Sequence, residues 1–151
     1  MRILALDVGR RRIGLAISDP SGMLARPLKT VEVTAADAVV RISAEIERLM
    51  AEDDGLGLVV VGVPRSLSGE ATAQTRDVEQ FIGRLRSRID LAVATEDERL
   101  TSREAESRLA VRERDWRARK ARLDAAAAAV ILQDFLDRRP ALPRAEPDRS
   151  S

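Results

Sequence analysis

The sequence predicts one α/β domain built on a five-stranded mixed sheet, and three observations carry that expectation. Two near-continuous apolar runs, Ile3–Leu6 and Leu56–Val63, have the composition of strands buried on both faces. Ile13, Leu15 and Ile17 alternate with Gly14, Ala16 and Ser18, the period of two that marks a further strand. Apolar residues then recur at helical spacing between the strand-like segments, at Val39, Ile42, Ile46 and Leu49 and again at Val78, Phe81, Ile82, Leu85 and Ile89. The resulting order is three strands, a helix, a strand, a helix, a strand and one or two closing helices: three antiparallel strands followed by parallel βα units.

In chain order, Asp7 follows the first run and Asp19-Pro20-Ser21-Gly22 is a turn signature. Arg26–Val33 reads as the third strand, with Leu28 and Val31 or Val33 facing the core, and short connections make the first three strands a meander. Thr34-Ala35-Ala36-Asp37 resembles a capping box opening the first helix, which Asp53-Asp54-Gly55 ends. Pro64–Gly69 is a loop at the C-terminal end of the fourth strand, the position where open α/β sheets place ligands. Leu91–Glu96 reads as the fifth strand, and Thr101-Ser102-Arg103-Glu104 as the capping box of another helix. Asp115–Arg122 reads as a basic loop and Leu123–Arg138 as the last helix, its Ala125–Ala129 run allowing close packing on the sheet. Pro140–Ser151 lacks periodicity, so the expected division is a domain over 1–138 and a disordered tail over 139–151.

Composition narrows the chemistry. A chain of 151 residues is long enough for one core but short for two lobes around a cleft. It has no Cys and no His, which removes disulfides, thiolate chemistry, the usual general base and the usual zinc ligands. A metal site would therefore use oxygen ligands and favour Mg²⁺ or Mn²⁺. No apolar run approaches bilayer length and no signal peptide is visible, so the expected location is cytoplasmic, without a membrane partner. Net charge is +1, but cations cluster: Arg10, Arg11 and Arg12 beside Asp7, and Arg112 to Arg122 just before Asp124. Two basic clusters flanking acidic positions suit a phosphate backbone. With only Phe81, Trp116 and Phe135 as aromatics, extensive stacking on a single strand is not expected.

A carboxylate closing a buried strand is costly without a cation, a metal or several donors, which singles out Asp7. Asp97 and Glu98 follow the fifth strand and Asp124 reads as opening the last helix. Each also has a plain structural reading, as a turn residue, a surface ion pair with Arg99 or a helix cap.

Asp7-Val8-Gly9-Arg10-Arg11-Arg12-Ile13-Gly14-Leu15-Ala16-Ile17-Ser18 resembles the opening of the YqgF/RuvX family. Val60-Val61-Gly62-Val63-Pro64 with Ser68-Gly69, Asp97-Glu98-Arg99-Leu100-Thr101-Ser102, and Leu123-Asp124 with the alanine run after it match the same family in order and spacing. The resemblance spans about residues 1–138. It implies an RNase H-like sheet with helices on both faces, a central first strand beside the fourth, and a nuclease related to Holliday junction resolvases that processes the 5′ end of pre-16S rRNA. It also implies that Asp7, Glu98 and Asp124 converge to hold Mg²⁺ or Mn²⁺ and act in catalysis. Asp97 is the substitute for Glu98, which is preferred because Leu91, Val93 and Thr95 share the parity of Asp97 and look core-facing. Arg12, Arg65, Ser68, Gly69, Arg99 and Lys120 are the candidates for substrate contacts. Gly9, Gly14, Gly62 and Pro64 read as backbone geometry.

The expected partner is nucleic acid, RNA rather than DNA, with a ribosomal precursor as one candidate, and the expected state is a monomer or a homodimer. Departures from the family pattern are a Leu109–Arg122 segment without Gly and a single acidic residue near the start of the last helix. Asp134 lies almost three turns further on, ~15 Å away by helical rise, which weighs against junction resolution. Alternatives are a Holliday junction resolvase-like DNA nuclease, a non-catalytic RNA-binding module, and a nucleotide-binding lobe suggested by the Asp-x-Gly hairpin.

Overall fold

The structure is a computed structural model that describes residues 1–98 and 116–139, with only the backbone described for 116–123. Five strands form one sheet in the order β3-β2-β1-β4-β5, with β1 at Arg2–Val8, β2 at Arg12–Ser18, β3 at Ala25–Glu32, β4 at Leu56–Val63 and β5 at Val93–Asp97. The first three strands are antiparallel neighbours, and β1–β4 and β4–β5 pair in parallel. The helices are α1 (Ala38–Ala51), α2 (Ala73–Arg86) and α3 (Trp116–Arg138).

β1 is central because both of its faces are buried. Leu4 and Leu6 join Ile42, Ile46, Val78, Phe81 and Leu85 on the α1/α2 side. Ile3 and Ala5 join Ala16, Val60, Ala128, Ile131 and Leu132 on the α3 side. Ala5, Ala16 and Ala128 in that second contact let α3 lie close to the strands. β3 is an edge strand and accommodates Pro27, which has no N–H for a ladder.

Local chemistry fixes the element ends. Arg2 is buried and donates to the Gly55 carbonyl (3.0 Å), the Leu49 carbonyl (3.2 Å) and Glu52 (2.9 Å), tying the start of β1 to the end of α1. Asp19 accepts from the Met23 and Leu24 amides, which pulls its carboxyl down to about 2 and closes the β2–β3 turn. Thr34 and Asp37 exchange the expected reciprocal bonds, but the regular helix begins only at Ala38. α2 starts with a capping box that the sequence reading missed, Thr72 with Thr75.

Three expectations are corrected. Residues 116–122 are helical rather than a basic loop, because Arg, Lys, Ala and Leu are good helix formers even without an apolar stripe. Asp124 therefore lies inside α3, more than two turns from its start, instead of opening it. The fifth strand runs over Val93–Asp97 rather than Leu91–Glu96, and Thr95 is exposed rather than core-facing. The helix expected from Thr101, and the tail over 140–151, lie outside the described residues.

Candidate functional site

Strand alternation brings the acidic positions together. Asp7 shares the α3-facing side of β1 with Ile3 and Ala5, and it pairs in register with Gly14 of β2. Glu98 follows β5 and extends its ladder, its amide donating to the Val63 carbonyl (3.2 Å). Glu98 is only 8% exposed, whereas Asp97 is half-buried. Gly62 of β4 lies between them in the sheet: a Cβ there would stand 2.9 Å from Glu98 Oε2 and 2.5 Å from the Ile131 terminal methyl. The missing side chain of Gly62 is thus the space the Glu98 carboxyl uses. Gly14 does the same for the helix, since a Cβ there would fall 2.0 Å from the Asp124 carbonyl oxygen. Strand β2 and α3 touch backbone to backbone at this point, which sets the height of Asp124 over the sheet. Both glycines were read as backbone geometry, and an isolated Gly within a strand pattern was their only signal.

Asp7 and Glu98 are hydrogen-bonded through their carboxyls. Burial raises Asp7 to about 6, opposed by the bond from Glu98 and helped by the charge of Asp124. Burial, and then the Asp7 charge, raises Glu98 to about 9. Burial and mutual repulsion thus favour a proton shared by the pair, and Glu98 Oε2 is buried without a hydrogen-bond partner among the described residues. Asp124 lies within electrostatic range of Asp7 and is paired with Arg12, Nε to Oδ2 at 3.2 Å.

The donor set is all oxygen, so it suits a hard cation. Asp7 and Glu98 fit two ligand positions of such an ion: two carboxyls are packed together with one orphaned buried oxygen. Among the described residues no three side chains form a ready-made cage, and Asp124 is engaged by Arg12.

Of the expected substrate contacts, Arg12 borders a cavity of about 270 Å³ with Gly9, Arg10, Arg11 and Asp124. Arg65, Ser68 and Gly69 belong to the loop after β4, which is folded on itself by Ser66–Ser68 (2.8 Å) and by the Gly69 amide on the Ser66 carbonyl (2.8 Å). Gly69 has φ +89°, a conformation that favours glycine. Lys120 lies on α3, with only its backbone described, and Arg99 lies outside the described residues. A second buried acid, Glu96, is paired with Arg138 on the same face and was not singled out from the sequence.

A central strand ending in the partly buried Asp7, with the buried Glu98 just past β5 and α3 carrying a third acid over the sheet, fits an RNase H-like architecture. Thermus thermophilus RuvC in complex with a Holliday junction substrate superposes with a TM-score of 0.53 at 17% identity, covering 93% of this chain and 97% of that one. The chain belongs to the RuvX family, whose model, described as Holliday junction resolvase, matches residues 1–138. A relative from Roseiflexus sp. (strain RS-1) is 43% identical over 138 residues, 90% of this chain and 94% of the relative. Another from Maridesulfovibrio salexigens is 42% identical over 138 residues, 91% of this chain and 99% of the relative. Both carry the name of a candidate pre-16S rRNA nuclease.

Proposed function

We infer that this protein is a divalent-metal-dependent endonuclease that trims the 5′ end of pre-16S rRNA. The observation that carries the reading is the Asp7–Glu98 carboxyl pair at the C-terminal ends of β1 and β5, with Glu98 buried and Asp7 partly so, in a chain of the RuvX family. The names of relatives at about 40% identity support precursor RNA as the substrate. Held by Asp7 and Glu98, with Asp124 nearby, Mg²⁺ or Mn²⁺ would supply Lewis acidity to the phosphodiester and acidify the attacking water. Burial of Glu98 excludes solvent from one side of that position. Arg10, Arg11 and Arg12 provide the positive wall beside it, and an arginine fork matches two phosphate oxygens. Arg12 reaches a phosphate by leaving Asp124, so the same movement frees a third carboxylate.

The test is cleavage of a labelled 16S precursor RNA with Mn²⁺ or with EDTA, run beside a four-way DNA junction. Cleavage that needs Mn²⁺, falls at least about a thousandfold in Asp7→Asn and leaves RNA binding intact is the expected result. Preferential cutting of the junction would shift the substrate to DNA, and absence of cutting on both would leave a binding module.

A further inference from the structure

A second and larger cavity, of about 560 Å³, opens on the opposite side of the tip of β1 from Asp7. Its volume falls in the ~300–1,000 Å³ range of small-molecule sites. The floor is apolar: Val8, Val39, Val78 and Phe81, with Ala38 at the start of α1. The rim is polar and comes mostly from one exposed stripe of α2, Gln74, Asp77, Gln80 and Arg84, with Arg10 opposite. Arg10 reaches Asp77 only at 3.9 Å, and both side chains are largely exposed, so this contact leaves the rim open.

Two features set what this cavity fits. First, it is continuous with the candidate catalytic site, because Gly9 and Arg10 line both this cavity and the smaller one that holds Asp124. Successive residues of one strand serve the two sides: Asp7 faces α3, and Val8 packs into the α1/α2 side. Second, an apolar slot edged by two amides, one carboxylate and two guanidinium groups offers a surface for a ring, donors and acceptors for its edge, and charge for an attached phosphate. Unpaired bases in RNA are recognised by this combination.

We propose that the α1/α2 cavity receives an unstacked nucleobase of the RNA strand whose backbone crosses the Asp7–Glu98 site. The proposal rests on the nuclease reading and narrows it: the substrate must be single-stranded next to the cleaved bond, with one base turned across the tip of β1. Among the described residues Phe81 is the only aromatic lining the slot, so the site accommodates one base rather than a stacked run.

The test uses the full chain in EDTA, where no cleavage occurs. Titration of ¹⁵N-labelled protein with guanosine 5′-monophosphate should shift the amides of Val39, Gln80 and Phe81 while leaving those of α3 in place. A short unstructured RNA should bind roughly tenfold more weakly to Ala35→Trp, which fills the mouth, and to the Gln80→Ala/Arg84→Ala double variant, as expected for loss of one seated base. Duplex RNA should bind all three proteins alike. All substituted positions are exposed, and unchanged melting temperatures check the fold. Absent nucleotide shifts, together with wild-type RNA affinity in both variants, would overturn the base pocket even if Mn²⁺-dependent cleavage is present. Nucleotide shifts without any cleavage would keep the pocket and remove the nuclease reading.

Discussion

At the residue scale the site is defined as much by two missing side chains as by its acids. Gly14→Ala sets a methyl against the backbone of α3, 2.0 Å from a carbonyl oxygen, so strand and helix must part. The expected cost is about 2–4 kcal/mol, read by urea unfolding, with loss of cleavage. Gly62→Ala meets only side-chain atoms of Ile131 and Glu98; it should destabilise less, about 1–2 kcal/mol, yet still lower cleavage because the Glu98 carboxyl is the group displaced.

The carboxyl pair sets a pH signature. Asp7 is raised from 3.8 to about 6 and Glu98 from 4.5 to about 9. A carboxyl raised by folding contributes stability that is complete below its unfolded value and is lost as pH climbs through its folded value. The ion-free protein should therefore weaken between about pH 4 and 9. Glu98→Gln keeps a neutral, hydrogen-bonding group there and should flatten the profile, leaving the variant about 1–3 kcal/mol more stable than the parent at pH 8 in EDTA and nearly equal at pH 5. Denaturant midpoints at the two pH values check this.

Much of the element scale is legible in the sequence where burial is two-sided or strictly alternating. β1, β2 and β4 announce themselves through Ile3–Leu6, through Ile13, Leu15 and Ile17, and through Leu56–Val63. The start of α3 does not, because residues 116–122 carry charges and alanines whose helical preference leaves no apolar stripe to read. The error moved Asp124 from an apparent cap to the interior of a helix, and with it hid the Gly14 contact. Thr95 misled in the opposite way: parity within β5 marks it as inward, yet it lies exposed while Glu96 and Glu98 take the buried side. The Arg12–Asp124 and Arg138–Glu96 pairs join positions more than forty residues apart in chain order, so no local pattern reports them. At the other end of α3, Arg138→Ala would leave Glu96 buried at 6% exposure without its partner. That loss should cost about 1–3 kcal/mol at neutral pH, and less at pH 4, where Glu96, already raised by burial, takes up a proton.

At the scale of the whole molecule the sheet separates two candidate sites across the tip of one strand. The α3 face holds the carboxylates and the α1/α2 face holds the large cavity. Mn²⁺ should raise the melting temperature more at pH 8 than at pH 5, since the carboxyls are deprotonated more readily at the higher pH and a cation relieves their repulsion. Asp7→Asn should abolish that increment. A shift of equal size in Asp7→Asn would place the ion elsewhere.

The contact of α3 with the sheet also bears on how the chain is made. Ile3, Ala5, Ala16 and Val60 are synthesised early, yet their cover, Ala128 to Leu136, follows only after β5. A nascent chain that has finished β5 presents a bare apolar sheet face to the ribosome surface and to chaperones. The same late segment brings Asp124 to the site. Covering of that face and delivery of Asp124 beside Asp7 thus become one event, and a polypeptide that stops before α3 is left with its apolar face bare.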